Sequence, residues 1–237
     1  MSGARAFVLL DVEGTTTPVD FVFQLLFPHA HAHVGGFLEA HASDPDVARD
    51  VAGLSDEHAR DAAAGLRPPA WDGSMAGAAP YARWLMDQDR KLTALKSLQG
   101  KIWAEGYAQG RLRGQVYDDV PKALARWTGS GRRVAIFSSG SVLAQKLIFG
   151  HSDHGDLTPF LSAYFDTTTG SKREAESYRR IAAALGAAPS EGLFVSDVVE
   201  ELDAAREAGL ATALAVRRPP GPSAHAHRVI TSFDELS

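Results

Sequence analysis

Four short stretches of the chain carry residues that could do chemistry together: Asp11 with Glu13, Ser138 with Ser139, Lys172, and Asp197. Asp11 and Glu13 close the run Phe7-Val8-Leu9-Leu10, whose apolar residues suit both faces of a buried parallel strand. Asp11 and Asp197 supply the one or two carboxylates that Mg²⁺ takes before water and phosphate oxygens complete its shell. A carboxylate can also attack phosphorus, so that an aspartyl-phosphate divides one hard hydrolysis into two easier steps. Ser138, Ser139 and Gly140 offer hydroxyls and N–H groups where a helix opens, an arrangement that holds anions. Lys172 adds a compact positive charge for the phosphate. Glu13, two residues past Asp11, is spaced to handle a proton on the leaving group or the attacking water. Each piece alone has a plainer reading, as a turn at Asp11, helix caps at Ser138–Gly140 and Asp197, and a solvated Lys172. The set, in this order and each at or just past a strand end, points to phosphoryl transfer.

These residues need a parallel sheet to bring them to one edge. Residues 133–137, 163–165, 192–195 and 211–216 read as strands, and 119–130, 141–150, 172–186 and 200–209 as helices between them. Such alternation argues for βαβ units, and Gly131, Gly186 and Gly209 stand where helices should stop. From 18 to 112 no strand-like run occurs. Residues 20–42 have helical spacing interrupted by Pro28 and Gly35-Gly36, 43–66 continue as helix, 67–73 form a loop, and 78–109 are again helical. The predicted fold is α/β: a doubly wound parallel sheet, Rossmann-like, from residues 1–17 and 113–237, with an all-helical insertion over 18–112. In such sheets ligands gather outside the carboxyl ends of the strands.

The chain's 237 residues, 45% hydrophobic and 22% charged, suit an ordinary globular protein. A net charge of −5 gives no reason to expect nucleic acid or an anionic membrane as partner. The first strand begins too early to leave room for a signal peptide. With no cysteine, thiol catalysis and thiolate metal sites are excluded, and a reducing cytoplasm is compatible. A cytoplasmic monomer without membrane contact is expected.

Weaker signals receive structural readings. His29, His31 and His33 alternate, and neighbours two apart on a helix do not share a face, so they do not read as a metal site. His225 and His227 fall in a Pro-rich loop and are expected to be solvated. Glu200 and Glu201 read as an exposed helix face, with a bond to metal-bound water as the alternative. Phe21, Phe23 and Phe27 read as core, although a substrate tail could rest there.

The ordered set Asp11-Val12-Glu13-Gly14-Thr15, Ser138-Ser139-Gly140, Lys172 and Asp197 resembles the four signature motifs of haloacid dehalogenase-like phosphatases. Within them DVEGTTTPVDFV, GHSDHGDLTPF, GSKREAESY and SDVVEELDAA resemble the enolase-phosphatases of methionine salvage, also called acireductone synthases, and the similarity runs from residue 7 to the HRVITSFDEL near the end. Glu13 stands where most of the superfamily has Asp, as in this subfamily. The resemblance implies a bifunctional enzyme that enolises 2,3-diketo-5-methylthiopentyl-1-phosphate and dephosphorylates it to 1,2-dihydroxy-3-keto-5-methylthiopentene, with one Mg²⁺ per subunit. It implies Asp11 as nucleophile and Mg²⁺ ligand, Asp197 as a further ligand, and Glu13 as a metal-site residue through its side chain or its backbone carbonyl. It implies Ser138, Ser139 and Lys172 as phosphate contacts and 18–112 as a cap domain closing over the substrate. Two other readings stand beside it: a Mg²⁺-dependent phosphatase of the same fold for another small phosphorylated metabolite, and a non-catalytic module that binds one. Binding alone would not need Asp11.

Overall fold

The computed structural model describes residues 6–218, 220–222 and 225–236. In chain order the elements are β1 (Phe7–Leu10), α1 (Val19–Phe21), a π-helical turn (Val22–Leu26), α2 (Phe27–Ala40), α3 (Pro45–Ala63), α4 (Ala78–Asp87) and α5 (Thr93–Ala108). There follow α6 (Asp119–Gly129), β2 (Arg133–Phe137), α7 (Val142–Gly150), β3 (Ala163–Phe165) and α8 (Ala175–Ala184). The chain closes with β4 (Gly192–Ser196), α9 (Val199–Glu207), β5 (Ala211–Ala215) and β6 (Arg228–Ile230). Two compact units result: Met1–Phe21 with Arg113–Ser237, and Val22–Leu112. Among the described residues no helix is long and apolar enough to cross a membrane.

The first unit is a doubly wound α/β fold. Its six strands run in the order β3-β2-β1-β4-β5-β6, and every neighbouring pair is parallel. The order reverses at β1, the point at whose carboxyl end such sheets bind ligands, and Asp11 stands there. All four residues of β1 are buried, as a central strand covered on both faces requires. One face packs Phe7, Leu9, Phe137 and Phe194 against Tyr178 and Ile181 of α8 and Leu202 and Ala205 of α9. β6 joins the sheet beyond β5; its three residues after a Pro-rich loop are too short a run to predict.

Several helical boundaries differ from the sequence reading, and 78–109 divides into α4 and α5 with a break at 88–92. α8 begins at Ala175 rather than 172, because Ser171–Glu174 form a turn in which Glu174 N–H donates to Ser171 O at 3.2 Å. Lys172 therefore sits in a loop with its chain direction set by the turn. In the second unit, α2 runs unbroken through Gly35-Gly36, and Pro28 lies in its first turn, directly after the π-helical turn. α3 opens on Asp44, whose carboxylate accepts the N–H groups of Asp46 (2.7 Å) and Val47 (3.4 Å).

Gly192 opens β4 opposite Phe7, and a Cβ there would lie 2.2 Å from the Phe7 ring. Gly192→Ala should therefore lower unfolding stability by about 1–3 kcal/mol, the range for overpacking a filled core. Chemical denaturation of the variant beside the parent chain measures it, and an unchanged midpoint would show that the ring moves aside freely.

Candidate active site

Asp11 follows β1 directly and is only 3% exposed. Its backbone N–H donates to Val195 O at 3.0 Å, which ties the residue to β4. Asp11 Oδ1 accepts from its neighbour Val12 N–H at 2.8 Å and from Lys172 Nζ at 2.6 Å. Lys172 Nζ also lies 2.7 Å from Glu201 Oε2. The ammonium is thus held between two carboxylates, with the Phe137 ring centroid 5.9 Å away. Ser196 Oγ completes the circuit, 3.2 Å from Asp11 Oδ2 and 3.0 Å from Glu201 Oε2. Its single proton serves one carboxylate at a time.

The loop that carries Lys172 is gripped by α8. Tyr178 OH donates to Lys172 O at 2.7 Å and Ser177 Oγ to Ser171 O at 2.7 Å. Gly170 passes so close to Ser177 that a Cβ would lie 2.3 Å from its hydroxyl. Burial works against the Lys172 charge, but the attraction of Asp11 and Glu201 prevails and raises its pKa above the ordinary lysine value.

Asp197 comes one residue after β4. Burial first, and then the charge of Asp11, push its carboxyl up to about 7. Gly14 abuts it: at φ +74 a side chain would be strained, and a Cβ there would lie 2.1 Å from Asp197 Oδ2. Glycine is the residue that lets the turn after Asp11 touch the second acid. Glu13, half-buried, bridges to Thr17 within that turn.

Ser138 and Ser139 reach the same sheet edge at the end of β2, the strand paired with β1. Ser138 is buried, donates its N–H to Phe165 O at 3.1 Å and accepts Gly140 N–H on its hydroxyl at 3.0 Å. Ser139 is exposed. Neither caps α7. That role falls to Ser141, whose hydroxyl accepts Ala144 N–H at 3.3 Å. Gln145 braces the loop from inside the helix, its amide donating to Gly140 O (3.0 Å) and Phe165 O (2.9 Å).

Three plain readings are corrected. Glu201 is 9% exposed and faces Lys172 rather than solvent, while Glu200 is exposed. The signal was its place four residues after Asp197, on the helix face that turns back to the strand end. His227 is buried, with Nδ1 2.7 Å from Thr212 Oγ1 and Nε2 3.1 Å from Asp203 Oδ1. Phe21 is core, but Phe23 is 57% exposed and meets Phe27 edge-on. His29 and His33, one turn apart, stack at 4.0 Å, and His31 pairs with Asp87 at 3.2 Å. Among the described residues no three His, Asp or Glu groups form a closed metal cage.

Comparison with known proteins gives the family of the chain. The model of haloacid dehalogenase-like hydrolases matches residues 7–209. The Enolase-phosphatase E1 of Synechococcus elongatus is 55% identical over 233 residues, covering 97% of this chain and 96% of that protein. The Drosophila mojavensis protein of the same name is 46% identical over 93% of this chain and 88% of its own length. Among solved structures, the UTR4 protein of Saccharomyces cerevisiae superposes with a TM-score of 0.77 at 35% identity, over 98% of this chain and 100% of that one. A dehalogenase at 19% identity and a TM-score of 0.58 shares the fold. By its matched length and these near full-length relatives, the chain belongs to the haloacid dehalogenase-like hydrolases and, within them, to the Enolase-phosphatase E1 family.

Proposed function

We propose that this chain is a Mg²⁺-dependent enolase-phosphatase that takes 2,3-diketo-5-methylthiopentyl-1-phosphate to 1,2-dihydroxy-3-keto-5-methylthiopentene, acting as a cytoplasmic monomer. The name its relatives carry supports the substrate. The observation that carries the chemistry is the buried Asp11–Lys172–Glu201 bridge at the carboxyl end of β1.

The residues present fit a divalent cation. Asp11 and Glu201 flank one buried lysine with Asp197 nearby, and burial first, then the charge of Asp11, raise the Asp197 pKa. Two hard carboxylates at one edge are the donor number that Mg²⁺ favours. In this reading Asp11 and Asp197 hold the ion, with Glu13 contributing its side chain or its carbonyl. Once bound, the ion neutralises charge on the phosphate oxygens.

The residues of the chain do the rest. Lys172 presents a fixed ammonium to the phosphate, and Ser138 and Ser139 contribute hydroxyl and N–H donors from the neighbouring strand end. Asp11 attacks phosphorus as the bond to the substrate oxygen breaks, and Glu13 delivers a proton to that oxygen. Water, relieved of a proton by Glu13, then attacks the aspartyl-phosphate, which frees inorganic phosphate and restores Asp11. Glu201 does not touch the phosphate in this scheme; with Ser196 it aims Lys172. The helical unit Val22–Leu112 is the cap domain of this reading.

Asp11→Asn keeps the size of the side chain and removes the nucleophile. It should cut phosphate release from the diketo substrate by about 10³-fold or more, with folding preserved by circular dichroism, while the ultraviolet absorbance of the enol still develops. Turnover near the parent rate would sink the assignment of Asp11.

The raised pKa of Asp197 fixes a sign for two pH profiles. Without metal, the folded state binds this proton more tightly than the unfolded one, so the group's contribution to stability falls as pH rises from the ordinary carboxylate range to about 7. Metal-free Asp197→Asn should therefore gain on the parent chain over that window and hold its advantage above it. In the parent chain the ion must displace the proton, so Mg²⁺ affinity, followed calorimetrically, should weaken by up to about tenfold per pH unit below that value. A flat affinity profile from pH 5 to 8 would count against Asp197 as a ligand.

A further inference from the structure

Arg217 is a cation that the scheme above leaves unused, yet its side chain is only 7% exposed. It stands two residues past β5, on the sheet edge that carries Asp11 and Asp197. Its Nε donates to Thr15 O at 2.9 Å, and its Nη1 to Asp119 Oδ2 at 2.6 Å and to Thr231 O at 3.2 Å. The guanidinium lies 4.4 Å from the ring centroids of both Tyr117 and Phe233. Its holder is itself held: Asp119 Oδ2 accepts Phe233 N–H at 2.6 Å. Burial opposes the Asp119 charge, but Arg217 and the Phe233 N–H bring its pKa below the ordinary carboxylate value.

The far end of this clamp is the turn that follows the nucleophile. Thr15 O is gripped by Arg217, and the next carbonyl, Thr16 O, accepts Tyr117 N–H at 3.0 Å. Within the turn, Gly14 N–H donates to Thr17 O at 2.8 Å, and Thr16 Oγ1 donates to Asp11 O at 3.0 Å. Gly14 in turn rests against the Asp197 carboxylate. A displacement at Thr15 therefore reaches Asp11 through Thr16 and Asp197 through Gly14. A flat fork that both donates and stacks is what arginine supplies and lysine does not.

We propose that Arg217 is a positioning residue of the reaction, fixing the Gly14–Thr17 turn and through it the register of Asp11 against Asp197. The inference rests on Asp11 as nucleophile. Arg217→Met removes one partner of a buried pair and should lower stability as well, so Arg217→Lys, which keeps the charge, separates positioning from stability.

The test compares Arg217→Met, Arg217→Lys and Asp119→Asn with the parent chain on the diketo phosphate and on an aryl phosphate, recording kcat, KM, Mg²⁺ half-saturation and the melting temperature. Small misplacements near reacting atoms are costly, and kcat for Arg217→Met should fall about 10- to 100-fold on both substrates. KM should stay within about threefold, because no ground-state contact to substrate is lost. Mg²⁺ half-saturation should rise, and Arg217→Lys should recover part of the loss. Should Arg217→Met fail to fold, Arg217→Lys and Asp119→Asn carry the same comparison. An earlier melt with kcat and Mg²⁺ half-saturation unchanged would overturn the proposal. So would a raised KM at constant kcat, which would make Arg217 a substrate contact. Asp11→Asn assayed alongside separates the two ideas: if it turns over normally, the nucleophile reading fails, whereas a kcat loss at Arg217 still marks the turn as the part being positioned.

Discussion

An ammonium enclosed by protein needs compensation, and at Lys172 it comes from residues 161 positions upstream and 29 downstream in the chain. Neither Asp11 nor Glu201 would be tolerated in that interior without it, since removing one partner of a buried pair leaves an uncompensated charge. The bridge therefore demands that β1, the loop before α8 and the start of α9 all arrive together. The sheet order meets this demand. β1 sits at the reversal point, flanked by β2 and β4, so residues following three separate strands converge on its carboxyl end.

The excess of acid over base is the second constraint. Asp11 and Glu201 share one lysine with Asp197 close by; burial dominates the raised pKa of both Asp197 and Glu201, and the charge of Asp11 adds to it. In the proposed reading a bound cation would supply the positive charge that such an interior lacks. Asp197 packs against Gly14, where φ is +74 and a Cβ would lie 2.1 Å from Oδ2, so a side chain there would strain the turn.

Much of this was legible in the sequence because the informative residues stand at places where a periodic pattern stops. Asp11 and Asp197 end apolar runs, and Lys172 lies between two recognisable elements, so the parallel sheet and the order of the polar residues could be read together. Residues whose role depends on which way a helix face turns were not legible. Glu201 lies in an acidic helix start that looks solvent-facing until the helix is docked, and Gln145 is one polar residue in an apolar helix. Arg217 and His227 flank a Pro-rich stretch that reads as loop, and only the pairing of β5 with β6 shows that both side chains are enclosed. Ser141 took the capping role from Ser138 and Ser139 by a shift of two or three residues, a scale that propensity does not resolve.

Tyr178 belongs to two worlds at once. Its ring packs between Phe137 and Phe194 in the middle of the core, with centroids 5.6 and 5.0 Å away, and its hydroxyl holds the backbone of the lysine loop. The hydrophobic interior and the reactive edge thus share a single side chain, with no insulating layer between them. For anyone redesigning this protein, the core cannot be treated as inert filling. If Lys172 meets the phosphate as proposed, a repacked ring there would be felt at phosphorus, and the reaction rate would gauge how well the apolar face of the sheet is packed.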